Sequence, residues 1–223
     1  LEVWKKAGAE VQGERVRMPR GLCRELIQAS APRAFTQHAR NPARNVEIGG
    51  PHTVFAPAYG SPFIHNLDEG RRYARIQGFP KFVKLPYQSR SLHHSGGTIC
   101  EPVDLPVNKR HFDMVYSHMK YSDKCFMGSV THPERAKDTV EMAKILFGDA
   151  WLDPATGKPK TFVVSLINVN SPMTYDATML GALKVYARAN QACIVTPFIL
   201  AGAMSPVTAA GTIAQVLAEV VAG

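Results

Sequence analysis

The chain has 223 residues, 45% of them hydrophobic and 20% charged, and a formal net charge of +8 at pH 7. That composition is ordinary for a globular protein and excludes an intrinsically disordered or collagen-like chain. No apolar run approaches the roughly 18 residues of a membrane-spanning helix, and the first eight residues lack the apolar core of a secretory signal, so a soluble, cytoplasmic protein is expected.

Residues 1–8 read as the closing turns of a helix stopped by Gly8, with the true N-terminus missing. Residues 21–30 read as a helix, and residues 67–77, with Asp68 and Glu69 favourable in a first turn, as another. Around them the texture up to residue 92 is one of short strands and turns. β-type runs cover 34–40, 45–48 and 52–56, separated by Asn41-Pro42, Gly49-Gly50-Pro51 and Tyr59-Gly60-Ser61-Pro62.

After His93-His94-Ser95-Gly96-Gly97 apolar strands alternate with amphipathic helices. The strands are 98–101, 125–130, 161–169 and 192–201, the last two continuous enough to be buried on both faces. Helical stripes follow at Phe112, Val115 and Met119, at Ala136, Val140, Ala143 and Phe147, at Leu180, Leu183 and Ala187 within 176–189, and at Ile213, Val216 and Val220. Thr131-His132-Pro133-Glu134, Asn170-Ser171-Pro172 and Met204-Ser205-Pro206 each set a hydroxyl before a proline, which predicts three helix N-caps, the first a capping box.

Short strand-to-helix loops imply a parallel sheet, and no GxGxxG or Walker sequence follows a strand. The α/β pattern therefore favours a (β/α)8 TIM barrel over a nucleotide-binding open sheet. A full barrel takes about 250 residues, so residues 93–223 are read as its first four βα units, truncated. Residues 1–92 are read as a basic N-terminal α+β region.

The charge is lopsided. Residues 1–95 hold 15 Lys and Arg against 7 Asp and Glu, and the remainder is balanced at 11 against 11. The basic residues are dispersed, without a helix-turn-helix, zinc-finger or RNA-binding signature, so no nucleic-acid partner is expected. The cysteines Cys23, Cys100, Cys125 and Cys193 lack CxxC spacing and read as free thiols.

In a barrel, ligands meet the C-terminal strand ends. Asn168 and Asn170 flank such an end, and amides there orient charged ligands or close the loop. His132 stands beside a predicted cap as an exposed residue or an acid–base group. His93 and His94 lack the partners of a metal site, so no metal is expected. His111 and His118, seven apart on one helix, read as a solvated face. Glu101 suits a cationic substrate or a structural ion pair; Tyr175 and Phe198 are core rings or cation-π faces. Ser165 and Ser205 have no nucleophile elbow and no cysteine has a catalytic setting, which leaves the catalytic residue unassigned.

Two long strings, Ser165-Leu166-Ile167-Asn168-Val169-Asn170-Ser171-Pro172-Met173-Thr174-Tyr175-Asp176 and Val195-Thr196-Pro197-Phe198-Ile199-Leu200-Ala201-Gly202-Ala203-Met204-Ser205-Pro206-Val207-Thr208, closely resemble the trimethylamine methyltransferase family. The segments 93–97 and 59–62 are similar too. The resemblance implies a (β/α)8 barrel that moves a methyl group from a tertiary or quaternary methylamine, trimethylamine or glycine betaine, to the cob(I)alamin of a separate corrinoid protein. Cobalamin is thus carried by the partner. It implies substrate contacts at Asn168, Asn170, Phe198 and Met204; Glu101 and Tyr175, read above as candidates for a cationic substrate, are expected to join them, and His93, His94 and His132 to face the corrinoid. A homo-oligomer is expected, and a half-barrel by itself is expected to be inactive.

Trimethylamine-specific members carry pyrrolysine in the second half of the barrel, beyond this sequence, and relatives without it act on quaternary amines. The basic N-terminal part, Arg71 and Arg72 included, is expected to dock an acidic corrinoid protein. Two alternatives are a barrel lyase or isomerase acting on a small anionic substrate and a non-catalytic betaine-binding homologue or corrinoid-docking subunit.

Overall fold

A computed structural model describes residues 1–222 as a mixed α/β chain. In chain order the elements are α1 (Glu2–Lys6), β1 (Glu10–Gln12), β2 (Arg15–Arg17), α2 (Leu22–Ser30), β3 (Ala34–Gln37), β4 (Val46–Gly49), β5 (Phe63–Asn66), β6 (Gly70–Tyr73), α3 (Phe79–Gln88), α4 (Arg110–Tyr121), β7 (Phe126–Met127), α5 (Pro133–Phe147), β8 (Val163–Val169), α6 (Ala177–Arg188), β9 (Ala192–Pro197) and α7 (Ala209–Val221). They form two compact units. The smaller holds Leu1–Arg33, Val169–Tyr175 and Thr196–Gly223, the larger Ala34–Asn168 and Asp176–Val195, a division that cuts across residue 92. Among the described residues no helix is long and apolar enough to cross a membrane.

In the larger unit, β3–β4 and β5–β6 are antiparallel hairpins, and a sheet ordered β7-β8-β9 follows, with Phe126 of β7 opposite Val163 of β8 in parallel register. The near-continuous apolar sequence of β8 is buried, Val163, Val164 and Ile167 almost completely, as a strand covered on both faces requires. Val115 and Met119 of α4, Ala136, Val140 and Ala143 of α5, and Ala182 and Tyr186 of α6 close around it with Trp151 and Phe162. Burying each large side chain stabilises by about 1.5–3 kcal/mol. Tyr186 Oη donates to the Ser129 carbonyl at 2.6 Å beside Gly128, where a Cβ would stand 2.8 Å from Val163 Cγ1 and 2.9 Å from Thr139 Cγ2. Only glycine fits under that ring.

Several elements depart from the sequence expectation. Residues 67–77 form no helix: the acids serve the β5–β6 turn, where Asn66 Oδ1 accepts from the Glu69 amide at 2.6 Å, Glu69 pairs with Arg72 at 2.7 Å, and Gly70 adopts φ +65°. Leu67 projects outward, 98% exposed. The missed helix is α3, whose Pro80 in the first turn and internal Pro86 disguise it as a turn region. Residues 52–56 are not a strand. Of the four strands expected after residue 93, residues 98–101 contribute a single bridge, Ser61 with Cys100, so α4 follows a loop and three strand–helix pairs remain.

The caps differ as well. His132, not Thr131, caps α5, its Nδ1 accepting from the Glu134 amide at 3.2 Å. Ser171 and Ser205 start no helix. α6 is capped by Asp176, which accepts from Met179, and α7 by Thr208, which accepts from Gly211. α4 turns His111 and His118 inward, 2% and 1% exposed, and Phe112 outward. On α7, Ile213 lies outside and Glu219 inside.

Candidate functional site

In the larger unit the segment 93–97 is threaded into the core. The Ser95 amide donates to the Cys125 carbonyl at 2.8 Å, and the Gly96 carbonyl accepts from Met127 at 2.7 Å, so the segment extends the edge of β7. Gly96 holds φ +85° and a Cβ on it would meet Pro57 Cγ at 2.5 Å, which restricts the position to glycine. The other similar segment, 59–62, runs beside the residues that follow this one: Gly60 donates to Thr98 O at 2.7 Å and Glu101 to Ser61 O at 2.8 Å.

Hydrogen bonds fix both buried imidazoles in one tautomer. His94 Nδ1 accepts from the Gly96 amide at 2.9 Å, so Nε2 carries the proton and donates to Gln37 Oε1 at 3.1 Å. Gln37 in turn donates to the Phe126 and Phe162 carbonyls, each at 3.0 Å. His118 Nε2 donates to Gly97 O at 2.6 Å, leaving Nδ1 to accept from Ser95 Oγ at 2.7 Å. Burial drives His94 down to about 3 and His118 to about 4, so both are neutral near pH 7. His94, expected to face the corrinoid, is 2% exposed with both ring nitrogens occupied.

The remaining expected residues of this unit are separate. His93 is exposed, its Nδ1 accepting from the Phe55 amide at 3.1 Å with its ring stacked on Phe55. His132 is an exposed cap. Glu101 lies 2.7 Å from Arg110 in an ion pair held by charge without hydrogen-bond alignment, which already matches its carboxylate. Asn168 is half-buried near the end of β8, and its side chain makes no hydrogen bond among the described residues. The Cys100 thiol is pushed up to about 11, and Cys125 and Cys193 to about 12, by burial, so none supplies a thiolate nucleophile. Among the described residues no cluster of three or more His, Cys, Asp or Glu could hold a metal ion.

The smaller unit brings the other candidates onto two loops. Asn170 and Thr174 exchange backbone hydrogen bonds at 2.9 and 2.7 Å, closing a tight turn after β8 that holds the exposed Asn170 side chain outside. Phe198 donates its amide to the Val169 carbonyl at 3.1 Å and leaves its ring 65% exposed. Met204 closes its own turn onto the Leu200 carbonyl at 2.9 Å, its side chain also exposed. Tyr175 is half-buried with Oη donating to the Val220 carbonyl at 2.9 Å, and burial raises its pKa.

Sequence reasoning missed the groups that brace these positions: Gln37, Ser95, His118, Lys124, Gln215 and Glu219. His118 carried a readable signal, since its helix stripe includes Met114 and Val115; the others lie outside any periodic pattern.

Comparison with known proteins agrees with the two strings. A glycine betaine methyltransferase of Desulfitobacterium hafniense (strain Y51) is 48% identical over 223 residues, covering 100% of this chain and 46% of that protein. A proline betaine:corrinoid methyltransferase of Eubacterium limosum is 26% identical over 239 residues, again 100% of this chain and 46% of the relative. The chain thus spans about half the length of these curated relatives. The family model for trimethylamine methyltransferase (MTTB) matches residues 1–223, and the chain belongs to that family.

Proposed function

We propose that the full-length protein containing this chain moves a methyl group from a quaternary methylated amine of the glycine betaine type to the Co(I) centre of a corrinoid carried by a separate protein. The observation that carries the reading is the 48% identity, over the whole chain, to a glycine betaine methyltransferase. The corrinoid comes from the name of the Eubacterium relative. We read β7, β8 and β9 with their following helices as part of a (β/α)8 barrel whose ligand site lies at the C-terminal strand ends, with residues 1–92 as an N-terminal region.

The transfer balances without a proton. The nitrogen–methyl bond breaks, its electron pair stays on the nitrogen of the departing tertiary amine, and two electrons from Co(I) form the cobalt–carbon bond. Positive charge leaves nitrogen as the transition state forms, so a strong ground-state grip on the cation would slow the step. The exposed Phe198 ring offers a cation-π face rather than a counter-charge. Glu101 is committed to Arg110, so it contributes little to cation binding. Asn168 and Asn170 have amides able to donate to a substrate carboxylate, and Met204 supplies apolar contact to the methyl groups. The neutral, fully bonded His94 and His118 deliver no proton, and none is required.

The test is the visible spectrum of cob(I)alamin mixed with full-length protein and glycine betaine, proline betaine or trimethylamine in separate cuvettes. Methylcobalamin should form with glycine betaine. Formation with trimethylamine alone would replace the substrate, and no formation with any amine, native corrinoid protein included, would refute the activity.

Partner docking gives a second measurement. Arg71 is exposed on β6 with its guanidinium 3.8 Å above the Phe63 ring, whereas Arg72 is paired with Glu69. Arg71→Glu should weaken affinity for the corrinoid protein about 5- to 10-fold at low salt and less at high salt, because exposed charge is screened. Unchanged binding by calorimetry would remove this surface from the interface.

A further inference from the structure

The smaller unit buries a carboxylate with no cation beside it. Glu219 of α7 is 2% exposed, and among the described residues no Lys, Arg or His pairs with it. Its Oε1 accepts from Ser171 Oγ at 2.6 Å and from Gln215 Nε2 at 3.0 Å, and Oε2 has no partner. The bonds from Ser171 and Gln215 hold its carboxyl below the usual range, so the group is ionised near neutral pH. Because the pKa is lowered, the fold holds the ionised carboxyl better than water does, and it does so with hydroxyl and amide donors instead of a counter-charge. No counter-charge among the described residues accounts for Glu219.

Its connections do. Ser171 belongs to the turn after β8 that carries Asn170 and leads to Tyr175. Gln215, one helical turn before Glu219, directs its two N–H groups to Glu219 Oε1 and to the Met204 carbonyl, both at 3.0 Å, while Ser171 Oγ at 3.4 Å is its most distant neighbour. Met204 ends the turn of the loop after β9 that begins at Phe198. Tyr175 adds a bond to the Val220 carbonyl of the same helix. Two consecutive turns of α7 therefore hold both loops.

We propose that Glu219, acting with Gln215, is a positioning residue that fixes the loop after β8 against the loop after β9, and so sets where Asn170, Tyr175, Phe198 and Met204 stand for the methylated amine. The inference rests on the function proposed above for those residues, and the experiment separates the two.

In the full-length protein, Glu219→Ala, Glu219→Gln and Ser171→Ala are compared by hydrogen exchange over residues 170–175 and 198–204 and by steady-state kinetics. Glu219→Ala should speed exchange at the Thr174 and Met204 amides about tenfold and raise KM for glycine betaine about tenfold, with KM for the corrinoid protein unchanged. Glu219→Gln keeps an oxygen for Ser171 and should recover most of both effects. Ser171→Ala removes one donor and gives the same test if the alanine variant fails to fold. Unchanged exchange in both loops, or faster exchange with KM for the amine unmoved, would overturn the positioning role. If the parent protein turns over no methylated amine while Glu219→Ala still loosens both loops, the clamp is supported and the proposed substrate is what fails.

Discussion

Replacing Lys124 with methionine should lower the unfolding free energy by about 3–5 kcal/mol, among the largest effects a single substitution can have. Lys124 is 3% exposed and, among the described residues, has no carboxylate partner. Its Nζ instead donates to three backbone carbonyls, of Pro86 at 2.7 Å, Ser89 at 2.8 Å and Leu92 at 2.6 Å. Pro86 lies in the last turn of α3 and Ser89 is its C-cap, so the ammonium sits where the helix leaves unpaired carbonyls and partial negative charge.

The three bonds also steer the chain from α3 into His93 and the segment braced along β7. Burial lowers the Lys124 pKa, Arg44 adds to that, and Asp123 opposes it. Methionine keeps the stem and removes the three donors, leaving acceptors that water reaches poorly. Urea unfolding of full-length wild type and variant measures the loss, and a change below about 1 kcal/mol with equal m-values would contradict it. Lys124→Arg keeps the charge but not the compact three-way geometry, and should fall between the two.

Acid should destabilise the protein well above the range where carboxylates titrate. Both His94 and His118 are neutral in the fold down to about 3 and 4, whereas in the unfolded chain an imidazole takes a proton near 6.5. The depressed folded pKa values mean that their contribution is fully present above pH 6.5 and is lost as pH falls. Below pH 6.5 the unfolded state binds protons that the folded state refuses, and the loss runs until pH approaches 4 for His118 and 3 for His94.

With both groups in that window the slope is about 2.5 kcal/mol per pH unit between pH 5.5 and 4.5. Urea unfolding at pH 7, 6, 5.5, 5 and 4.5 measures it, and NMR of the imidazole C–H protons checks the cause. Neither ring should titrate in the folded protein above pH 5; a midpoint near 6.5 for either would remove its share. The double variant H94Q/H118Q should be less stable at pH 7 and show a flatter slope.

What could be read locally was read where the signal was periodic. α4, α5, α6 and α7 each follow a stripe of apolar residues, and β8 its unbroken apolar run. The errors at 67–77 and 79–88 share one cause. Asp68 and Glu69 suit a first helical turn and a hairpin turn equally, and it is the pairing of β5 with β6 that chooses, whereas Pro80 and Pro86 conceal a helix stabilised by Phe79, Val83 and a capping ammonium 38 residues on from Pro86. The loops carrying Asn170, Phe198 and Met204 were legible as strings, because resemblance needs no geometry.

The sequence alone determined the α/β alternation, the apolar interior strand and the family, since all three are written in neighbouring residues. Tertiary structure decided which polar groups are buried and what they hold. Gln37 reaches carbonyls 89 and 125 residues away, His118 a serine 23 away, and Ser171 a carboxylate 48 away. A side chain that bonds a distant backbone or loop leaves no period in the chain, and its partner is fixed only when the packed core brings the two within 3 Å.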